Sequence, residues 1–404
     1  MKIAVIGGGA GGMVTAYLLD QQGHHVTVFE KQPTLGGHIR TLNKNVKPNH
    51  SNCDRVLENG VLEFPTVFRN FLALMQELGV ELEPVTAGSA LFLKDDRRFL
   101  SGGMIQKNCT GIQSFIDQLR LNTLYASSAS FWLRMQGSRP KDFYNQPLSQ
   151  LLQQPSIRNC WLKLLMMYSY STPFEQLSNF PAELAIPVLK DYVFVSWVRI
   201  KGGVYSYIEQ ILHRFKGKVW LNVEPLTLSR TANAIALKLP DGTTQQFDKV
   251  VVATPPDQVL QLLADPTIEE RKRFSAWKPN RATTLLHTDT SPYRRYRIQH
   301  PSEFDFFQTD RSWGYNAYLN QLCGIASPTP YSLAFNLESL IAKDKILHIQ
   351  EHHTPHYTVE AFQYRDEIIA TNGENHTYHA GAYLSDGLHE GAIVSARRVA
   401  QLMK

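Results

Sequence analysis

A glycine-rich turn constrains the fold more strongly than any other feature of this 404-residue sequence. The turn has the spacing G-x-G-x-x-G, at Gly7, Gly9 and Gly12. The run Lys2 to Ile6 before it is apolar and β-branched, as in a strand buried on both faces, and Met13 to Leu19 after it is typical of a helix. Gly7 permits a tight turn, Gly9 a close approach of the backbone to a ligand, and Gly12 close packing of helix on strand. The pattern predicts a βαβ unit.

A second strand, Val26 to Phe29, ends at Glu30, where a carboxylate can accept hydrogen bonds from a ribose. The N-terminus of the intervening helix supplies unpaired N–H groups and partial positive charge for a pyrophosphate. A glycine-rich loop without a ligand is the alternative, but strand, turn, helix and acid occur here in the required order. The unit is therefore predicted to bind a dinucleotide.

Composition excludes several other classes of protein. Hydrophobic residues make up 43% of the chain and charged residues 19%, as in an ordinary folded protein, and the net charge is +5. That charge is too small for a nucleic-acid-binding surface, but it is compatible with an anionic ligand or with peripheral contact at a membrane. No segment has the roughly 18 unbroken apolar residues that a spanning helix needs. A soluble or peripheral protein is expected.

The cysteines and histidines do not predict a metal site. The cysteines form no C-x-x-C pair, which argues against zinc or a disulfide framework and favours a reducing, cytoplasmic location. They are Cys53, Cys109, Cys160 and Cys323. His352, His353 and His356 are close in sequence, but Pro355 breaks any helix that would align them, and no Cys or carboxylate has a matching spacing.

A second glycine pair decides between cofactors. Leu35-Gly36-Gly37-His38 follows the second strand, and a glycine pair there lets the chain pass close to a cofactor that extends beyond its adenosine. FAD is therefore predicted, with Gly36, Gly37 and His38 among its contacts. At this point the sequence resembles the FAD-dependent amine oxidase superfamily, which includes protoporphyrinogen oxidases and carotenoid desaturases.

The resemblance continues along the chain in the family's order. Four further motifs carry it: Lys201-Gly202-Gly203, Trp220 to Val223, Lys249 to Pro256 and Tyr378 to Ala400. By resemblance, Val223 contacts adenine, while Gly381 and Ala382 lie in a turn under the flavin. A narrower likeness, to a poorly characterised bacterial group of predicted NAD/FAD-binding proteins, rests on Leu286 to Asp289, Tyr315 to Asn320, Thr329 to Tyr331 and Gly381 to Gly391.

The resemblance implies an α/β fold with a discontinuous, Rossmann-like FAD-binding domain formed by residues 1–60, 200–260 and 370–404. A substrate domain with a mixed sheet takes residues 61–108 and 261–369, and a helical lid takes residues 109–199. Apolar residues of helical period predict a helix from Phe64 to Gly79, ending in a glycine cap. The aromatic side chains of the lid line a cavity for an apolar substrate, or they form an ordinary helical core; the sequence leaves both open.

Two histidines are candidates for catalysis. His287 lies on the strand Arg281 to Asp289, and by register it falls near the position of the Lys that approaches the flavin in amine oxidases. In that position it could act as a base or hold a water. The alternative is that His287 is a strand residue that contacts only a local partner. His389 and Glu390 lie in the turn before the last helix, whose N–H groups could stabilise charge on the reduced flavin. We predict that both contact the cofactor and that His389 faces the reaction.

The sequence departs from the family pattern at two positions. Ala382 stands where most relatives carry an acid, and Asp386 is a possible substitute in a different register. Leu388 stands where true amine oxidases place a Tyr that forms one wall of a cage for the amine. The family name therefore does not give the substrate.

No second G-x-G-x-x-G follows, so electrons are expected to enter from an organic substrate and to leave to oxygen or another acceptor. The sequence predicts an FAD-dependent oxidoreductase acting on an apolar, unsaturated or fatty-acyl-like small molecule. An amine or amino-acid oxidase, a flavin-dependent isomerase and an escort-type binding protein without flavin remain alternatives. Flavin content would separate the last of these from the enzymes.

Overall fold

The computed structural model describes residues 1–49, 53–192, 195–232 and 234–404. The strands are β1 (Lys2–Ile6), β2 (His25–Glu30), β3 (Phe64–Pro65), β4 (Leu82–Val85), β5 (Ser89–Phe92), β6 (Arg98–Phe99), β7 (Trp197–Ile200), β8 (Lys218–Leu221), β9 (Thr227–Arg230), β10 (Ile235–Lys238), β11 (Thr244–Phe247), β12 (Lys249–Val252), β13 (Pro279–His287), β14 (Phe304–Gln308), β15 (Trp313–Tyr318), β16 (Ser332–Phe335), β17 (Ile346–Pro355) and β18 (Thr377–His379). The helices are α1 (Ala10–Gln21), α2 (Arg69–Leu78), α3 (Gly102–Asn108), α4 (Gly111–Met135), α5 (Leu148–Leu151), α6 (Ile157–Tyr170), α7 (Ala182–Asp191), α8 (Tyr205–Arg214), α9 (Val259–Leu262), α10 (Ile268–Phe274), α11 (Ser291–Arg294), α12 (Leu319–Leu322), α13 (Val359–Phe362), α14 (Arg365–Ala370) and α15 (His389–Leu402).

A parallel sheet gathers distant parts of the chain. Its order is β18-β12-β1-β2-β8, with every neighbouring pair parallel. Ile3, Ala4 and Val5 of the central strand are fully buried, as the unbroken apolar run predicts. The first and last helices, α1 and α15, pack against each other beside this sheet. The predicted strand–turn–helix–strand unit and the Rossmann-like architecture are confirmed.

A mixed sheet forms the second layer, in the order β17-β13-β16-β15-β14-β5-β6, with only β14 and β5 parallel among its neighbours. Because strand residues alternate between faces, the sheet has two distinct sides. Leu286 and Phe306 pack on one side, in the largest hydrophobic cluster. Leu285 and Phe307 pack on the other side, in a separate cluster. This alternation decides which side chains of β13 point toward the side of Leu286 and which point toward the side of Leu285.

Helices α3 to α7 cover one end of the mixed sheet, where a helical lid is predicted. Tyr170 and Phe180 in this region are buried, with ring centroids 4.8 Å apart, and Phe131 is buried as well. These side chains form a packed core, as expected if the aromatic residues of the lid are an ordinary helical core and not the lining of a substrate cavity. Among the described residues, no helix is both long and apolar enough to cross a membrane.

The helix predicted from Phe64 begins later than expected. Phe64 and Pro65 instead pair with β7 as a short strand, and the helix runs from Arg69 to Leu78. Phe64 is fully buried in this strand. Pro65 has no N–H, so it donates no hydrogen bond to the neighbouring strand, which suits its place in a two-residue strand. Gly79 ends the helix in the left-handed conformation, with φ of 70°, as the glycine cap predicts.

Candidate cofactor-binding and active site

The glycine turn and the glycine pair form one groove. A Cβ on Gly12 would lie 1.9 Å from the Gly7 oxygen, so only glycine lets α1 start this close to β1. Gly9 bridges to Gly36, and a Cβ on Gly37 would lie 3.0 Å from the Gly9 Cα. The two motifs therefore present bare backbone to the same space, which suits close approach of a pyrophosphate.

Glu30 and Val223 lie at one corner of this groove. The Glu30 carboxylate is largely buried and accepts hydrogen bonds from the amides of Gly8 (2.7 Å) and Gln32 (2.8 Å). The Val223 amide donates to the Glu30 carbonyl oxygen at 3.0 Å. The structure thus brings together the residues predicted for ribose and adenine. Since its amide is engaged, a contact of Val223 with adenine would fall to its carbonyl.

Arg40 is a residue of this site that our sequence reasoning missed. Its Nη1 is buried and has no hydrogen-bond partner among the described residues. Burial lowers the pKa of the guanidinium, and the nearby Glu30 carboxylate opposes that shift. A buried cationic donor without a partner, two residues beyond His38, fits an anionic group such as the pyrophosphate of FAD. The sequence could have indicated this role, because Arg40 is a basic residue that closely follows the Gly36-Gly37 pair.

His38 lies on the open side of the same segment. Its Nε2 is 2.7 Å from the carbonyl oxygen of His353, and the ring remains exposed. His353 in turn lies 2.9 Å from the Asp257 carboxylate. These contacts tie the glycine-pair segment to β17 of the mixed sheet.

The final turn packs against the first helix. A Cβ on Gly11 would lie 3.4 Å from the Gly381 Cα. Asp386 does not replace the acid missing at Ala382: its Oδ1 accepts from the amides of Leu388 (2.8 Å) and Gly391 (2.9 Å), which caps α15. Burial raises the pKa of Asp386 to about 6.

Glu390 points its side chain into the protein. Its two carboxylate oxygens accept from the backbone amides of Asn70 and Phe71, both at 2.9 Å, and from the Asn70 side chain at 2.8 Å. Glu390 therefore satisfies amides in the first turn of α2, which have no partner within that helix. The structure leaves only its backbone available for the predicted cofactor contact.

His389 lies in an aromatic box. Its ring packs edge-on against Phe64, Phe71 and Tyr207, and its Nε2 is 2.8 Å from the Tyr207 hydroxyl. Burial lowers the pKa of the imidazole to about 4, so the ring is neutral at pH 7. Its position at the first turn of α15 agrees with the sequence, but its Nε2 is occupied by Tyr207. A catalytic role for this ring stays a prediction that the geometry does not favour.

The structure places His287 away from the groove. The residue is fully buried; its Nε2 is 2.8 Å from the Asn316 side-chain oxygen, and its Nδ1 accepts from the Asp289 amide at 3.1 Å. It shares the face of β13 that carries Leu285, opposite to Thr284. An approach of His287 to the flavin stays a prediction that this geometry does not favour, because the contacts of the ring are those of our alternative interpretation, a strand residue with a local partner.

Thr284, on the other face of β13, joins a polar cluster that sequence reasoning missed. Its hydroxyl is 2.7 Å from the Asn59 side-chain oxygen and 2.9 Å from the His352 Nε2. A Cβ on the next residue, Gly60, would lie 2.0 Å from the His38 oxygen and 3.5 Å from the His352 ring. The cluster therefore lies where the mixed sheet meets the glycine-pair segment. Burial, reinforced by the charges of His38 and Arg40, lowers the pKa of His352 to about 3.

No group of three or more His, Cys, Asp or Glu side chains in the described parts of the chain is arranged to hold a metal ion. His352 contacts Thr284, and His353 contacts Asp257.

The groove, the buried guanidinium and the two-sheet architecture together define an FAD-binding fold. The family model described as flavin containing amine oxidoreductase matches residues 10–290, and the chain belongs to this family. The family is one of flavin-containing oxidoreductases, and FAD is its cofactor.

Similar proteins agree with this class. A 4,4'-diapophytoene desaturase (4,4'-diaponeurosporene-forming) of Staphylococcus aureus (strain bovine RF122 / ET3-1) is 49% identical over 287 residues, which are 62% of this chain and 54% of the desaturase. A CLA-producing fatty acid isomerase from P. acnes superposes with a TM-score of 0.72 at 15% identity, over 100% of this chain and 98% of the other. Cyclohexylamine oxidase from Brevibacterium oxydans IH-35A gives 0.67 at 13% identity, over 100% and 98%. The chain spans about half the length of the curated relatives it matches.

Proposed function

We propose that the protein oxidises an apolar, uncharged small molecule, with an unsaturated or fatty-acyl-like chain as the best candidate. The observation that carries this proposal is electrostatic. Burial shifts the pKa of several side chains toward their neutral forms: His352 on β17 to about 3, His389 at the start of α15 to about 4, Asp386 in the turn before it to about 6, and Glu63 beside β3 to about 7. Such surroundings favour a substrate without charge.

Each part of the site has a defined task in this proposal. The glycine groove and the Arg40 guanidinium bind the pyrophosphate, and Glu30 binds a ribose. FAD, when bound, supplies the hydride acceptor at its N5. Thr284 and His352 orient a water between the mixed sheet and the groove. Because the pKa of His352 is about 3, its ring orients this water in the neutral form and does not become charged at pH 7.

Names of similar proteins agree with an apolar substrate, since one is a diapophytoene desaturase and another a fatty acid isomerase. Amine oxidation is the second candidate, supported by the fold shared with cyclohexylamine oxidase. Against it, Leu388 stands in the position of the expected aromatic wall, and it is an apolar residue packed between two hydrophobic clusters. An aliphatic side chain offers an amine no cation–π surface.

Anaerobic reduction of the purified flavoprotein tests the proposal. Unsaturated fatty acids, long-chain polyenes and primary amines are mixed separately with the oxidised protein, and the flavin absorbance is followed. We expect bleaching by a member of the first two groups and none by amines. Bleaching by amines alone contradicts the proposal. Conversion of a fatty acid to an isomer without net bleaching establishes the isomerase instead, and protein that takes up no FAD establishes the escort role.

A further inference from the structure

The outer face of α4 carries large apolar side chains that solvent reaches. Ile112, Phe115 and Leu119 are 79%, 69% and 58% exposed, and Ile116 is 37% exposed. Spacings of three and four residues place them side by side on one face of the helix. The opposite face packs into the protein through buried residues such as Leu121. We call these four exposed residues the α4 stripe. A contiguous exposed patch of this kind marks a surface that contacts something else.

One further exposed apolar side chain lies on the same face at the other end of the helix, beyond Asn122, Thr123, Ala126 and Ser130. Leu133, near its C-terminal end, is 65% exposed and falls on the same face, followed by the exposed Arg134. A 25-residue helix is roughly 37 Å long at 1.5 Å per residue. The face is thus long enough to lie along an extended surface.

The segment that carries the stripe contains more basic residues than acidic ones. Between residues 97 and 142 the basic residues are Arg97, Arg98, Lys107, Arg120, Arg134, Arg139 and Lys141, and the acids are Asp117 and Asp142. Asp142 is exposed and lies 3.8 Å from Arg139. Asp117 is fully buried and forms ion pairs with Arg98 (2.7 Å) and Arg120 (3.2 Å). The surface that this region presents to solvent is therefore apolar along the stripe and positive around it.

Charge selects among the partners that could cover such a face. A second copy would bring two surfaces of the same sign together, which is unfavourable. An anionic lipid surface offers an apolar phase for the stripe and negative charge for the flanking cations. We propose that α4 docks flat on the surface of an anionic lipid bilayer, with the α4 stripe inserted below the headgroups.

The position of α4 connects this contact to the site. Trp132 on its inner side donates from Nε1 to the carbonyl oxygen of Lys190 in α7, 2.9 Å away, and α4 also packs against α6. Helix α6 ends at Tyr170, whose hydroxyl donates to the Asp386 carbonyl oxygen at 2.8 Å in the turn before α15. Docking would therefore place the lid at the phase in which an apolar substrate dissolves. This last step rests on the proposed function; the docking itself does not.

Sedimentation with lipid vesicles tests the proposal on the full-length protein. We expect binding to vesicles of phosphatidylcholine and phosphatidylglycerol, little binding to phosphatidylcholine alone, and weaker binding as salt is raised. Ile112→Glu should lower the affinity for the anionic vesicles by at least roughly tenfold, because it replaces an inserted apolar side chain by a charge of the wrong sign.

Ile268 provides a matched control. It is 81% exposed and lies, like Ile112, in the first turn of a helix, but Glu269 and Glu270 follow it. Ile268→Glu should bind vesicles as the unchanged protein does. Equal affinities of the two variants overturn the proposal. So does an unchanged protein that ignores anionic vesicles but forms a dimer, by light scattering, which Ile112→Glu dissociates. Vesicle binding requires no turnover, so its failure and a failure of the bleaching test are separate results.

Discussion

The two sheets hold their functional groups in different ways. Around the parallel sheet the site is made of backbone: a Cβ on Gly7 or Gly12 would collide with neighbouring backbone atoms, and one on Gly37 would lie 3.0 Å from the Gly9 Cα. Along the mixed sheet the site is made of side chains, with Thr284 on β13 and His352 on β17 meeting at 2.9 Å. A backbone site requires particular residues at fixed spacing, whereas a side-chain site depends on which face of a strand points inward.

The two halves therefore differ in how substitutions should act. In the backbone half, adding a Cβ to a glycine of the groove should strongly weaken cofactor binding, whichever side chain carries that Cβ. In the side-chain half, positions on opposite faces of one strand should have opposite consequences, because one faces the cluster and the other faces a separate core. Four predictions test this contrast, from the largest expected effect to the smallest.

Gly12→Ala should have the largest effect. The added Cβ would lie 1.9 Å from the Gly7 oxygen, so the turn and the start of α1 must move. We expect the affinity for FAD to fall at least roughly a hundredfold, measured by fluorescence titration of the apoprotein. Gly103→Ala is the control, since a Cβ there has no neighbour within 4 Å, and it should bind FAD normally. A Gly12→Ala protein with unchanged affinity would refute the backbone character of this site.

Arg40→Met should weaken FAD binding by roughly 10- to 100-fold, about the value of a charge-assisted hydrogen bond to a phosphate. The apoprotein should be unchanged in stability or more stable, because the Nη1 of the buried guanidinium has no partner there. Titration with FAD and urea unfolding of the apoprotein measure the two effects. Arg97→Met, which alters an exposed ion pair, is the control and should change neither. Loss of apoprotein stability with unchanged FAD affinity would mean that Arg40 is structural.

The contrast also explains what could be predicted from the sequence. Gly12, Glu30 and the apolar run of β1 depend on local spacing, so the βαβ unit followed from the residues alone, and the FAD-binding fold followed from the family resemblance that the motifs carry. His287 was assigned to the flavin by a strand register, and a shift of one residue exchanges the two faces of a strand. Thr284 carried no signal of its own, since threonine is common in strands.

Glu390 and Asp386 show a second limit. Both are acids near a predicted cofactor turn, and both instead accept hydrogen bonds from helix amides, at α2 and α15 respectively. The sequence does not reveal that α2, more than 300 residues earlier, would bring its amides to Glu390. Tertiary partners of this kind require the fold.

His389→Asn should change how stability depends on pH. Burial lowers the folded-state pKa of His389 to about 4, below its ordinary value of 6.5, so the unfolded chain binds the proton more readily. Stability should therefore be lost as the pH falls from 6.5 toward 4. Between pH 7 and pH 5 this one group should cost about 2 kcal/mol. Urea unfolding should show a pH dependence reduced by that amount in His389→Asn, with His25→Asn as the exposed control. An unaltered pH dependence would show that the ring is not buried as neutral imidazole.

Two positions on opposite faces of β13, Thr284 and His287, provide the last and smallest test. Thr284→Val removes the hydroxyl that contacts Asn59 and His352 but keeps the shape of the side chain. We expect flavin reduction by the substrate found in the bleaching screen to slow by roughly tenfold, the loss of one oriented hydrogen bond, with FAD affinity unchanged. Stopped-flow absorbance measures the rate.

His287→Asn is the paired variant, on the opposite face of the same strand. It should lower stability, because the imidazole contacts Asn316 and the Asp289 amide in a fully buried setting, and it should leave the reduction rate within roughly twofold of the unchanged protein. The opposite result, a slow His287→Asn and a normal Thr284→Val, would restore His287 as the residue that faces the reaction. It would also mean that the register of β13 in the functional protein differs by one residue, which would remove the side-chain half of the comparison.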